Sequence, residues 1–176
     1  METASDFQIN PDSSFQFFFS QGALDRMGKG KWTVHGDSIV FNSMPRPPRD
    51  FALLSAKKSP ENLITIKIID KNRMILSYVE VTISGGGKTR TRKSDSEGMV
   101  VFPLQLCTSI SLLFRLCPDR ETTFTIDNTK NNYFEFRFEP WIAEVFFEHF
   151  GLRLSGKELY GGHPLLQGNT FRYERN

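Results

Sequence analysis

LITIKIIDKNRMILSYVEVTISGGGKTRTRKSDSEGMVVFP, residues 63–103, is the stretch whose reading decides the fold. Ile64, Ile66 and Ile68 alternate with Thr65, Lys67 and Ile69, and Val79, Val81 and Ile83 alternate with Tyr78, Glu80 and Thr82. A period of two carried by β-branched residues predicts strands buried on one face. Asp70 to Arg73 supply the turn between them, because short polar side chains bond nearby backbone groups. Gly85-Gly86-Gly87 and Ser94 to Gly98 mark two further reversals. Lys88 to Lys93 continue as an alternating segment, and Met99 to Phe102 form another short strand that stops at Pro103.

The I-x-I-x-I-x-D strand, the V-E-V-T-I strand and the S-D-S-E-G-M-V-V-F turn and strand together resemble the carboxypeptidase regulatory-like, transthyretin-like β-sandwich domain. Val79 to Ile83 and Asp95-x-x-Gly98-x-x-x-Phe102 carry the likeness, over less than half of the chain. What the resemblance implies is a fold and an accessory or binding role, with no catalytic residues to carry over.

Working outward, the 176 residues suffice for one domain or two small ones. The net charge of +2 argues against a nucleic-acid partner, which would need a concentrated basic face. Seventeen Phe fit a β-rich core. No run of 18 apolar residues is present, so no transmembrane segment is expected. Met1 to Asp6 are acidic and polar, unlike a leader. The expectation is a periplasmic, outer-membrane-associated or secreted protein whose leader is not part of this sequence, with a cytoplasmic location left open.

Residues 7 to 56 read as a meander of short strands. Phe15 to Phe19 are apolar on both faces, Lys31 to Val34 resume after a glycine loop, and Gly36-Asp37 turns into Ser38 to Phe41. This pattern resembles the start of lipocalin-like barrels of exported bacterial proteins. Met44 to Arg49, with three prolines, is an extended connector, since proline has no N–H for a ladder. It delivers Phe51 to Leu54 as a strand, and Lys57 to Pro60 are the expected domain boundary. Beyond Pro103, residues 109–116 and 122–126 read as strands. Phe134, Phe136 and Phe138 then alternate with Tyr133, Glu135, Arg137 and Glu139, which places the Phe face in the core. Pro140 to Phe150 admit a short helix, with Ile142, Val145, Phe146 and His149 on one stripe, or a hairpin. A helical turn followed by strands is the favoured reading.

The fold class expected is therefore mainly β. An antiparallel transthyretin-like sandwich at residues 61–140 is flanked by a meander at 1–60 and strands at 141–176, which share a second sheet or barrel-like layer because isolated hairpins are marginal.

Local chemistry is sparse. Gly85-Gly86-Gly87-Lys88-Thr89 looks like the end of a phosphate loop, but Thr82 stands where that loop has glycine, and strand alternation follows where a helix should open. A hairpin turn is expected. His35, His149 and His163 are scattered, without metal-ligand spacing. Asp95 and Glu97 read as turn residues rather than a calcium loop. Cys107 and Cys117 read as free, buried thiols, since a straight strand between them would hold them roughly 30 Å apart; a bridge requires the segment to fold back. No catalytic, cofactor-binding or metal residues and no cofactor are assigned. The candidate partner-binding residues are Lys88, Arg90, Arg92 and Lys93, which form a basic patch, and Trp32.

The expected function is a non-catalytic envelope or secreted module for protein or glycan binding or structural support. One alternative is a lipocalin-like carrier of a small apolar ligand, suggested by Phe15 to Phe19, Trp32 and Phe41. The other is a hydrolase with a spatially assembled site, with His35 and Asp37 its first residues to test.

Overall fold

The computed structural model describes residues 3–22, 24–168 and 170–174. In chain order the strands are β1 (Thr3–Ile9), β2 (Ser14–Gln21), β3 (Leu24–His35), β4 (Ser38–Asn42), β5 (Phe51–Lys57), β6 (Leu63–Ile69), β7 (Val79–Gly85) and β8 (Lys88–Lys93). They continue with β9 (Met99–Pro103), β10 (Ser109–Phe114), β11 (Glu121–Thr125), β12 (Tyr133–Phe138), β13 (Glu144–Val145), β14 (Phe150–Ser155), β15 (Glu158–Gly161) and β16 (Phe171–Glu174). A 3₁₀ helix, Arg73–Tyr78, sits between β6 and β7 and is capped by the Asn72 side chain, which accepts from Met74 N. The fold is mainly β.

The chain divides into two compact units, residues 1–47 with 143–176, and residues 48–142. In the first unit the strands follow one another as β1-β2-β3-β4-β14-β15-β16 in a nearly closed, barrel-like sheet. β13 pairs in parallel with the first half of β3. Alternation decides the inside of this sheet: Phe15, Phe17 and Phe19 of β2 are buried, while Gln16 and Phe18 point out, Phe18 being 39% exposed. The stretch read as apolar on both faces thus has one buried face. Phe41 and Phe147 join it, with ring centroids 4.9 Å (Phe15–Phe41), 5.0 Å (Phe15–Phe147) and 5.4 Å (Phe17–Phe147) apart. Phe7 of β1 lies 4.8 Å from both Phe17 and Phe41. The Arg26 side chain is also buried, its Nε donating to Ala143 O and Nη2 to Glu144 O, both at 3.2 Å, so that it ties β13 to β3.

The second unit has two four-stranded sheets, β11-β10-β7-β8 and β5-β12-β6-β9. Their apolar faces meet: the Phe124 ring lies 5.0 Å from Phe136, and Phe114 lies 5.0 Å from Phe138. Phe134 and Phe136 are fully buried and Phe138 nearly so, whereas Arg137 on the opposite face is exposed. The architecture is that of a β-sandwich.

Three expectations need correction. First, the sandwich is not antiparallel throughout, because β12 runs parallel to β6. Residues 126–132 carry the chain from β11 in one sheet to β12 in the other, so no hairpin constrains β12 against its neighbour. Second, β5 does not belong to the front meander. It pairs with β12, and Asn132, buried at the entry to β12, takes Ser59 N on its side-chain oxygen (2.6 Å) and donates to Glu61 O (2.8 Å) and Leu63 O (2.9 Å). Those bonds fasten Lys57 to Leu63 inside the sandwich, and the division falls at Pro47/Pro48 instead. Third, the strand expected from Tyr78 begins at Val79, since the 3₁₀ helix takes up Arg73 to Tyr78. The favoured reading of residues 140–150, a helical turn followed by strands, holds. A turn closed by Ile142 N to Glu139 O (3.1 Å) is followed by β13 and then β14. Val145 and Phe147 are buried at period two, which prevails over the helical stripe.

Candidate partner-binding edge

β8 is the terminal strand of the β11-β10-β7-β8 sheet. It is reached by a two-residue turn in which Gly85 pairs with Lys88 and the central Gly86 and Gly87 have φ of +58° and +73°, the left-handed values such hairpins require. The glycine run thus serves a hairpin and opens no helix. All six residues of β8 are exposed.

Cross-strand register divides the patch. Arg90 and Arg92 lie opposite Ile83 and Val81, whose side chains are buried in the sandwich, so the two guanidinium groups lie over its open side. Arg92 Nη1 donates to Val101 O of β9 at 2.5 Å, with its guanidinium 5.7 Å from the Phe102 ring centroid. Arg90 Nε donates to the Gln105 side-chain oxygen at 2.9 Å. On the outer face, Thr91 pairs with Thr82 (2.8 Å) and Thr89 with Ser84 (3.0 Å). Lys93 lies opposite Glu80, whose carboxylate sits 3.8 Å from Arg115. None of the four cations of β8 forms an ion pair with a carboxylate among the described residues. Lys88 and Lys93 are free for a partner, while Arg92 has a structural task as well: it satisfies a carbonyl on the edge strand β9.

Trp32 does not join this edge. It lies on β3 in the first unit, packs against the Phe core there, and its indole N–H donates to Asn10 O at 3.1 Å. A ring engaged on both counts is part of the fold.

The remaining candidates are each occupied locally. His35 Nε2 lies 3.1 Å from Thr33 Oγ1, and Asp37 accepts from Arg153 Nε at 2.7 Å, which holds its carboxyl below the usual range. The Asp95 carboxylate accepts from Glu97 N (2.9 Å) and Met99 N (2.8 Å), as a turn residue does. Cys107 and Cys117 are buried free thiols, and burial pushes Cys107 up to about 11. Among the described residues, no three of His, Cys, Asp and Glu gather into a metal-binding group.

Two polar constellations escaped the sequence reading. Asp50, 2% exposed, pairs with Arg120, takes Glu139 N on its carbonyl and donates its own N–H to Thr122 Oγ1, pinning the approach to β5 against β11. His163, 7% exposed, sits among Phe17, Phe19, Phe171 and Tyr173 of the first unit. Neither has a local motif, since the partners of Asp50 lie some 70 residues away.

No protein-family model matches this sequence, and no curated protein and no solved structure matches it either. No described helix is long and apolar enough to cross a membrane.

Proposed function

We propose that the chain is a non-catalytic binding module of an exported or envelope protein, and that its transthyretin-like second unit receives an extended acidic segment of a protein partner along β8. One observation carries the reading: the terminal strand of the sheet is wholly exposed and has four cations in six residues, none of them neutralised by a described carboxylate. The outer side of an edge strand leaves backbone N–H and C=O groups unpaired, and another strand satisfies them best. Lys88, Arg90 and Arg92 share a face at period two, so carboxylates at alternate positions of an added strand would lie beside them. An anionic glycan offers the charge without the backbone pairing, which favours the peptide. The exported location rests on the resemblance to domains of that kind.

The test is fluorescence anisotropy with a labelled peptide of alternating Glu and Val, against a Lys/Val peptide and a sulfated oligosaccharide. The acidic peptide should bind, weaken with added salt, and lose at least tenfold in affinity when Lys88→Glu and Lys93→Glu are combined, both being exposed. Binding of the sulfated glycan alone, or peptide affinity indifferent to the double reversal, would overturn the reading.

The Phe rings of β2 and β4 that suggested a carrier point inward and touch one another, which supports the binding-module reading over that of a carrier.

A further inference from the structure

His163 opens a short loop, His163 to Gln167, that lies between β15 and β16. Its Nδ1 accepts two backbone hydrogen bonds at 3.0 Å, from Leu165 N and Leu166 N. Pro164 has no N–H, so these are the first two backbone donors after the histidine. An imidazole nitrogen that accepts carries no proton, which places the proton on Nε2. That second nitrogen is buried and has no hydrogen-bond partner. Around the ring stand Phe17 and Phe19 from β2, at 5.9 and 5.4 Å, and Phe171 and Tyr173 from β16, at 5.0 and 6.4 Å. Leu165 and Leu166 pack against the same Phe core. The loop is therefore a plug on the barrel-like sheet, and its anchor is one neutral imidazole.

We propose that residues 161–168 form a pH-sensitive plug, latched by the two backbone N–H bonds to Nδ1 of His163 and released when that nitrogen is protonated in mildly acidic solution. A protonated ring donates at both nitrogens, so Nδ1–H would face two N–H donors and both latch bonds would be lost together. The charge would also stand within aromatic rings and away from water. Among the described residues facing the imidazole from β2, β16 and the loop itself, Tyr173 is the titratable one, and burial holds it protonated up to about 12. Burial is the cause that sets the histidine, lowering it below the ordinary imidazole range. A base lowered in the closed state takes its proton first when the loop opens. The closed form is thus intact well above about pH 6.5 and loses ground as pH falls below that value.

The experiment is hydrogen exchange of the full chain, followed at the Leu165 and Leu166 amides and corrected for the intrinsic pH dependence of exchange. Three proteins are compared: the parent, His163→Asn and His163→Phe. An Asn oxygen can accept from N–H groups two and three residues on and does not titrate in this range. The parent should lose at least tenfold of its protection at these two amides between pH 7.5 and pH 5, while the β2–β3 amides keep theirs. His163→Asn should show protection independent of pH. His163→Phe, if it folds, should be unprotected at the loop throughout. Loop protection in the parent that does not change with pH overturns the proposal, as does an equal loss in His163→Asn. Simultaneous loss of protection in β2 and β3 also overturns it, since acid would then be unfolding the unit rather than opening a plug.

Discussion

Phe136 and Arg137 are neighbours in β12 with opposite fates, and the contrast measures how much one face of a strand is worth. Phe136 is fully buried and its ring meets Phe124 of the facing sheet at 5.0 Å, whereas the side chain of Arg137 is 52% exposed and its guanidinium lies 3.8 Å from Glu139. Phe136→Ala should cost about 3–5 kcal/mol, and Arg137→Ala under about 1 kcal/mol, in urea denaturation. Cys107 provides a second residue-level test, through pH. Burial raises its thiol to about 11, so the native state holds its proton after the unfolded chain has begun to release one. Stability should therefore fall as pH climbs from the ordinary thiol range toward 11. At pH 8 neither Cys107 nor Cys117 should react with a thiol reagent in the native protein, and both should react once it is denatured.

At the scale of an element, β8 shows how a basic strand can be protected and available at once. Arg92 crosses the open side of the sandwich to the Val101 carbonyl, and inward-lying charges on an edge strand discourage pairing between copies. Arg92→Ala should change stability by no more than about 1 kcal/mol, because the side chain is largely exposed. Its effect should appear as self-association at raised protein concentration, seen by light scattering, with Lys93→Ala as a control that leaves β9 capped. If the two variants scatter alike, the Arg92 bond does not protect that edge. The alternation of Lys88 to Lys93 was legible in the sequence, as was the hairpin turn at Gly86-Gly87. Which cations are tied down was not, because Val101 and Gln105 reach β8 only through the packing of the second unit.

For the whole molecule, the division of the chain predicts that residues 48–142 fold without the rest. That segment contains both four-stranded sheets, the facing Phe rings and the Asp50–Arg120 pair. Expressed alone it should give a dispersed amide spectrum and a single cooperative urea transition; a collapsed spectrum would show that the sandwich depends on the flanking strands. The sequence by itself determined the secondary structure wherever period two was clear, in β6, β7 and β12. It determined the core face of β12 as well, because side chains alternate across a strand and the larger apolar set goes inward. Tertiary structure decided what depends on partners distant in the chain. It set β12 parallel to β6, moved β5 into the sandwich through Asn132, and placed β13 and β14 beside β3 and β4. It also decided the buried state of His163, whose aromatic neighbours come from β2 and β16, about 150 residues apart at their extremes. Local periodicity reports which face a residue occupies but not which strand lies beside it, since strand pairing is set by non-local hydrogen bonds and packing that no short window contains.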